Sequence, residues 1–164
     1  MISSINEARR MFVNNTSKPR CLVVLDSIQH PVELTLTVFD LGGWAVTWLD
    51  VHTPVDTTVI ATLEAVISAT DMVYLIVGKP TPLFMDIGYV FGITKQLHKP
   101  VFIDYRGNAE RDDYPICFRM ADGIGFGVYD MSLFIDTFES YTELSDPSTR
   151  ARAVANQIKR LRMN

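Results

Sequence analysis

Cysteine is almost absent: Cys21 and Cys117 are the only two in 164 residues. Two thiols cannot build a disulfide framework, and such sparse use points to a reducing compartment, so a cytoplasmic location is expected. No apolar run approaches the ~20 residues needed to cross a bilayer. The opening MISSINEARRMFVNN lacks the apolar core and small-residue cleavage site of a secretory leader. Lys and Arg are missing altogether between Cys21 and Gly78, where Asp26, Glu33, Asp40, Asp50, Asp56, Glu64 and Asp71 all fall. A groove for long nucleic acid needs a basic stripe across the body of the domain, so this acidic body argues against such a partner. No repeat, low-complexity tract or long linker divides the chain, and one domain over residues 1–164 is expected.

What is present is a filled interior. Apolar residues make up 48% and charged residues 21%, with a mean hydropathy of +0.13, which excludes disorder. Short β-branched runs alternate with helical patterns. Strands are predicted at Cys21–Leu25, Trp44–Leu49, Met72–Val77 and Pro100–Ile103, with a fifth near Gly125–Tyr129. Helices are predicted over Pro31–Leu41, which stops at Gly42-Gly43, from the N-cap Asp56 to Ala69, and over Pro82–Leu97. Two more are expected over Met131–Tyr141 and Pro147–Met163. An N-terminal arm, residues 1–19, precedes them, with mixed helical character over Ile2–Val13. The last helix, within residues 146–164, is basic: Arg150, Arg152, Lys159, Arg160 and Arg162 stand there with no acid after Pro147. That pattern reads as a solvated face with favourable charge near a helix C-terminus. Strands apolar on both faces, alternating with helices, predict a three-layer, doubly wound α/β domain with a five-stranded parallel sheet.

In such sheets ligands bind beyond the carboxyl ends of the strands. The residues expected on that rim are Asp26, Ser27, Asp50, His52, Gly78, Lys79, Thr81, Asp104 and Tyr105. Carboxylates and hydroxyls suit a sugar better than a polyphosphate. Lys79 is the one basic residue expected beside the acidic rim; it either contacts an anionic substrate or is an exposed loop lysine.

Asp86 is the single charge in the apolar segment Pro82–Ile93. Burying a lone carboxylate is costly, so it needs a partner or a purpose. One turn from a helix N-terminus it can remain ionised and serve as a nucleophile or electrostatic stabiliser at a sugar carbon. It can equally cap or bridge neighbouring loops. Gly88 and Gly92, four apart on one face, are expected to let the helix press on a neighbour. His30, His52 and His98 have no metal-ligand spacing, and Gly123-Ile-Gly-Phe-Gly127 does not follow a strand and open a helix. Neither a metal nor a nucleotide cofactor is expected. Cys21 and Cys117 are both expected in packed surroundings.

The stretches Thr70-Asp-Met-Val-Tyr-Leu-Ile-Val-Gly78, Met85-Asp-Ile-Gly-Tyr-Val-Phe-Gly92 and His98-Lys-Pro-Val-Phe-Ile103 resemble the nucleoside 2-deoxyribosyltransferase-like superfamily. Arg119-Met-Ala-Asp-Gly-Ile-Gly-Phe-Gly-Val-Tyr-Asp130 is similar to its deoxynucleoside 5′-monophosphate N-glycosidase branch. The likeness covers about Cys21 to Tyr141. In that family a Glu in an acid-x-Gly position attacks the anomeric carbon, and water or a second base resolves the glycosyl-enzyme. Asp86 occupies this position here. The family's first-strand Tyr falls at Val23 and its loop Gly at Asp26. Ser27 matches a loop Ser. The sugar-binding helix Asp falls near Thr62 or Leu63, with Glu64 as a substitute, and the phosphate-binding loop Ser falls at Pro80, beside Thr81. Met120 corresponds to base-pocket methionines, and the segment of Met120 and Asp122 to one that completes a neighbouring subunit's site.

The resemblance implies cleavage or transfer at the N-glycosidic bond of a 2-deoxynucleoside or its 5′-monophosphate. Asp86 would be the nucleophile, Glu64 or Asp26 the acid or sugar clamp, and Ser27 and Thr81 the holders of the sugar or its 5′ end. The alternatives are a non-catalytic nucleotide- or sugar-binding module, and a subunit whose basic tail recruits a partner. A homo-oligomer is expected, both from the family and from apolar residues such as Trp44, Trp48, Phe118 and Phe134 in excess of what one domain must bury.

Overall fold

Alternation along each strand sends its side chains to opposite faces, and both faces here are apolar, so helices must cover each side. The structure is a computed structural model, and it describes residues 2–15, 17–25, 32–51, 57–78, 84–106, 116–124 and 127–163. Five strands, β1 (Arg20–Leu25), β2 (Ala45–Asp50), β3 (Met72–Val77), β4 (Val101–Tyr105) and β5 (Gly123–Ile124), form one sheet in the order β2-β1-β3-β4-β5. Every pairing is parallel. Six α-helices accompany them among the described residues: α1 (Ile2–Asn14), α2 (Glu33–Leu41), α3 (Thr57–Ser68), α4 (Phe84–Gln96), α5 (Val128–Ser140) and α6 (Pro147–Met163). The expected α/β class and its five-stranded parallel sheet are both present.

Two apolar layers sandwich the sheet. Leu22, Val24, Val73, Leu75, Val101 and Ile103 pack under α1, α3 and α4. Their neighbours in the pleat, Cys21, Val23, Tyr74, Ile76 and Phe102, pack under α2, α5 and α6. The segment expected as an N-terminal arm is helix α1, with Ile5, Ala8 and Phe12 buried in the first layer. In the second layer Trp44 lies 4.8 Å from Phe138, and Phe102 5.0 Å from Phe134, between ring centroids. No helix among the described residues is long and apolar enough to cross a membrane.

Several expectations need correction. The fifth strand is Gly123–Ile124, ahead of the predicted span. Asp130 accepts the N–H of Gly127 at 3.1 Å, which starts α5 at Val128, inside that span. A 3-10 helix at Ile116–Met120 stands where no element is predicted; its Phe118 is buried 5.1 Å from Phe91. Cys117 on the same turn is exposed, whereas Cys21 is buried as expected. A Cβ at Gly88 or Gly92 would meet no described residue within 4 Å, so neither glycine marks a close approach to one. Of the aromatics held to be in excess, Trp44, Phe118 and Phe134 are fully buried, and only Trp48, at 42% exposure, remains outside.

Candidate functional site

Strand order reverses between β1 and β3: the chain moves from β1 outward to β2, then returns to β3 and proceeds the other way. The crevice beyond the carboxyl ends of these two strands is where an open parallel sheet receives a ligand. Leu25, Asp50, Val77 and Tyr105 end the four long strands, and buried Gly78 directly follows β3. Residues 26–31, 52–56, 79–83, 107–115 and 125–126 lie outside the described residues. Asp26, Ser27, Lys79 and Thr81 therefore also lie outside them.

One buried polar chain occupies this edge. Tyr74 of β3 faces Phe102 of β4 in register, which brings Asp104, two residues on, to the same face. The Tyr74 hydroxyl donates to Asp104 Oδ2 at 2.9 Å. Arg106 donates its Nε to the same oxygen at 3.0 Å, and its second terminal nitrogen stands 3.0 Å away. That nitrogen also donates to the Thr35 hydroxyl, at 2.9 Å, in the first turn of α2. Asp104 and Thr35 are 5% and 1% exposed. Burial, and then the Asp104 carboxylate, push the Tyr74 phenol well above its ordinary pKa of 10.0, so it stays a donor. All these donors converge on Oδ2. Oδ1 accepts no hydrogen bond from a described residue. The cluster thus holds one carboxylate oxygen fixed and without a described donor near the carboxyl end of β4, a group that can accept from a hydroxyl.

The remaining site residues are spread out. Asp86 is the third residue of α4, the helix that follows β3; its backbone is described and its side chain is not. Glu64 is exposed midway along α3. Met120 and Asp122 belong to the opposite edge: Asp122 Oδ2 accepts the N–H of Val101 at 2.9 Å, at the start of β4. The length of that strand, roughly 13 Å, separates them from their own chain's rim. Met120 is 68% exposed.

Reading the sequence missed Tyr74 and Arg106. Lys79 is the one basic residue that the sequence leads one to expect near the rim, yet Arg106 is held there by Asp104. The parity of Tyr74 and Asp104 on adjacent strands was a signal, usable once the β3–β4 register is known. Among the described residues no three His, Cys, Asp or Glu side chains gather as metal ligands. Compared with known proteins, the chain matches no protein-family model, and no curated protein is significantly similar to it.

Proposed function

We propose that this protein cleaves or transfers at the N-glycosidic bond of a 2-deoxynucleoside or its 5′-monophosphate. The observation that carries the reading is the position of Asp86, in the first turn of the helix that follows β3, beside the reversal of strand order. Its carboxylate attacks the anomeric carbon as the carbon–nitrogen bond to the base breaks. The base leaves with a proton from a carboxyl group, assigned to Asp26 because Glu64 stands exposed midway along α3, and water or a second base then resolves the glycosyl ester. Asp104, held through Oδ2 by Tyr74 and Arg106, accepts from a sugar hydroxyl at Oδ1. Ser27, Thr81 and the Gly78 backbone are assigned to the sugar and its 5′ end, and Lys79 to an anionic substituent.

The reading also includes a homo-oligomer. Met120 and Asp122 stand at the edge remote from their own chain's crevice, so any contribution they make is to a second copy's site. A monomer mass by light scattering at micromolar concentration would remove this part.

The main test is incubation with a panel of nucleosides and nucleotides, with free base followed by chromatography. Base release is expected, lost in Asp86→Ala and kept or raised in Asp86→Glu, which restores about 1.5 Å of reach. Binding of nucleotides without base release would make the protein a binding module instead. An Asp86→Ala variant as active as wild type and less stable would end the nucleophile assignment.

A further inference from the structure

A cavity of about 410 Å³ opens at the amino edge of the sheet, away from the crevice proposed above. That volume lies within the range of small-molecule sites. Lys18, Arg20 and Arg150 line it, coming from the loop before β1, the first residue of β1 and the first turn of α6. Two acids line it as well, Asp71 and Asp146, and both are already engaged. Asp71 receives Nε and Nη2 of Arg20 at 3.1 and 3.2 Å. Asp146 accepts the N–H and hydroxyl of Thr149 at 3.0 and 2.7 Å.

The cations, in contrast, have donors to spare. Arg150 gives Nε to the Leu144 carbonyl at 2.6 Å and Nη1 to the Phe138 carbonyl at 3.4 Å, while lying 4.8 Å from the centroid of the Phe138 ring. These contacts fix its plane. Nη2 of Arg150, Nη1 of Arg20 and the Lys18 ammonium bond to no described residue. The surroundings are positive too: Thr149's hydrogen bonds hold the Asp146 carboxyl below its ordinary pKa, and the charges of Lys99 and Arg152 add to the effect.

One spare terminal nitrogen on each of two fixed guanidinium groups and a free ammonium, approaching from two segments, match a tetrahedral oxyanion better than a planar carboxylate, which needs a whole free fork. We propose that this cavity is a phosphate site, which takes the phosphoryl group of a small phosphorylated molecule and leaves room beside Phe138 for its organic part.

Titration calorimetry tests this with inorganic phosphate and with glycerol 3-phosphate, each against sodium chloride of equal ionic strength. Saturable one-to-one binding is expected, weakened about tenfold or more in Lys18→Glu. Lys18 is exposed, so this variant should melt with wild type. Tighter binding of the ester supports an organic phosphate as the occupant; equal or tighter binding of inorganic phosphate supports the free ion. The proposal falls if neither saturates, if Lys18→Glu binds as wild type does, or if chloride at equal ionic strength abolishes the binding. None of these outcomes depends on glycosidic activity.

Discussion

Two Arg–Asp pairs of similar burial stand at opposite edges of the same sheet. At the amino edge Arg20 and Asp71 have side chains 23% and 7% exposed; at the carboxyl edge Arg106 and Asp104 have 19% and 8%. Their geometry differs. Asp71 uses both oxygens on one arginine and adds the backbone N–H of Arg20 at 2.8 Å, so the pair is closed and ties β1 to the residue before β3. Asp104 gathers its donors on one oxygen and leaves the other unspent, while Arg106 reaches across to α2. A buried ion pair adds little net stability over an apolar substitute, because desolvation offsets attraction. A closed pair therefore fixes strand positions, whereas an open pair leaves an acceptor at the edge where we propose that the sugar binds.

The largest expected effect breaks the closed pair. Asp71→Ala leaves Arg20 partly buried without its carboxylate and removes the bond to a strand's first N–H. A loss of about 2–3 kcal/mol is expected, below the cost for fully buried pairs because Arg20 can regain water. Urea melts would read it as a lower midpoint at unchanged slope. At a temperature where the variant is folded, base release should match wild type. Asp104→Asn should do the reverse: a smaller loss of stability, about 1–2 kcal/mol, and a clear loss of sugar binding. If both variants lost the same function and the same stability, the distinction between the edges would collapse.

Each pair also sits above a buried weak acid, and alkaline pH separates the two. Burial and then Asp71 push the Cys21 thiol well above its ordinary 9.0. Burial and then Asp104 push the Tyr74 phenol above its ordinary 10.0. In both cases the unfolded chain releases its proton first, so stability is intact below the ordinary value and falls as pH rises beyond it. The slope is about 1.4 kcal/mol per pH unit for each group. Tyr74→Phe should cost about 1 kcal/mol at neutral pH and flatten only the decline above pH 10.0. Cys21→Ala should remove the part that begins at 9.0. Thermal melts in a pH series would check both, and an unchanged alkaline decline in Tyr74→Phe would argue against the buried phenol.

Much of the scaffold was legible because burial writes itself into residue type. Met72–Val77 reads as a central strand, and all six residues are buried. The last helix is read over Pro147–Met163 and occupies that span. β5 was misplaced because two residues, one a glycine, carry no periodicity. The site was harder, since its bonds join residues far apart in the chain. Nothing local to Arg106 points to Thr35, and Tyr74 meets Asp104 only through strand register. The role of Asp122 as a cap on Val101 required the β4–β5 pairing, so the resemblance alone grouped it with a binding site.

The smallest effect expected is at Asp146, where the amino edge carries both of its proposed roles. This carboxylate caps α6 through the N–H and hydroxyl of Thr149. Asp146→Ala should cost about 1 kcal/mol, the usual value of an N-cap. The hydrogen bonds lower its pKa from the ordinary 3.8, so the contribution is present above that value and disappears as pH falls through the lower folded value. Wild type and variant should then converge in strong acid. The same substitution removes a negative charge from the wall of the cationic cavity, so phosphate should bind roughly two- to threefold more tightly, a surface-scale change in electrostatic energy. Stability and affinity thus move in opposite directions on one substitution. If phosphate affinity fell together with stability, Asp146 would be ordering the cavity rather than opposing its charge, and the amino edge would need a different account.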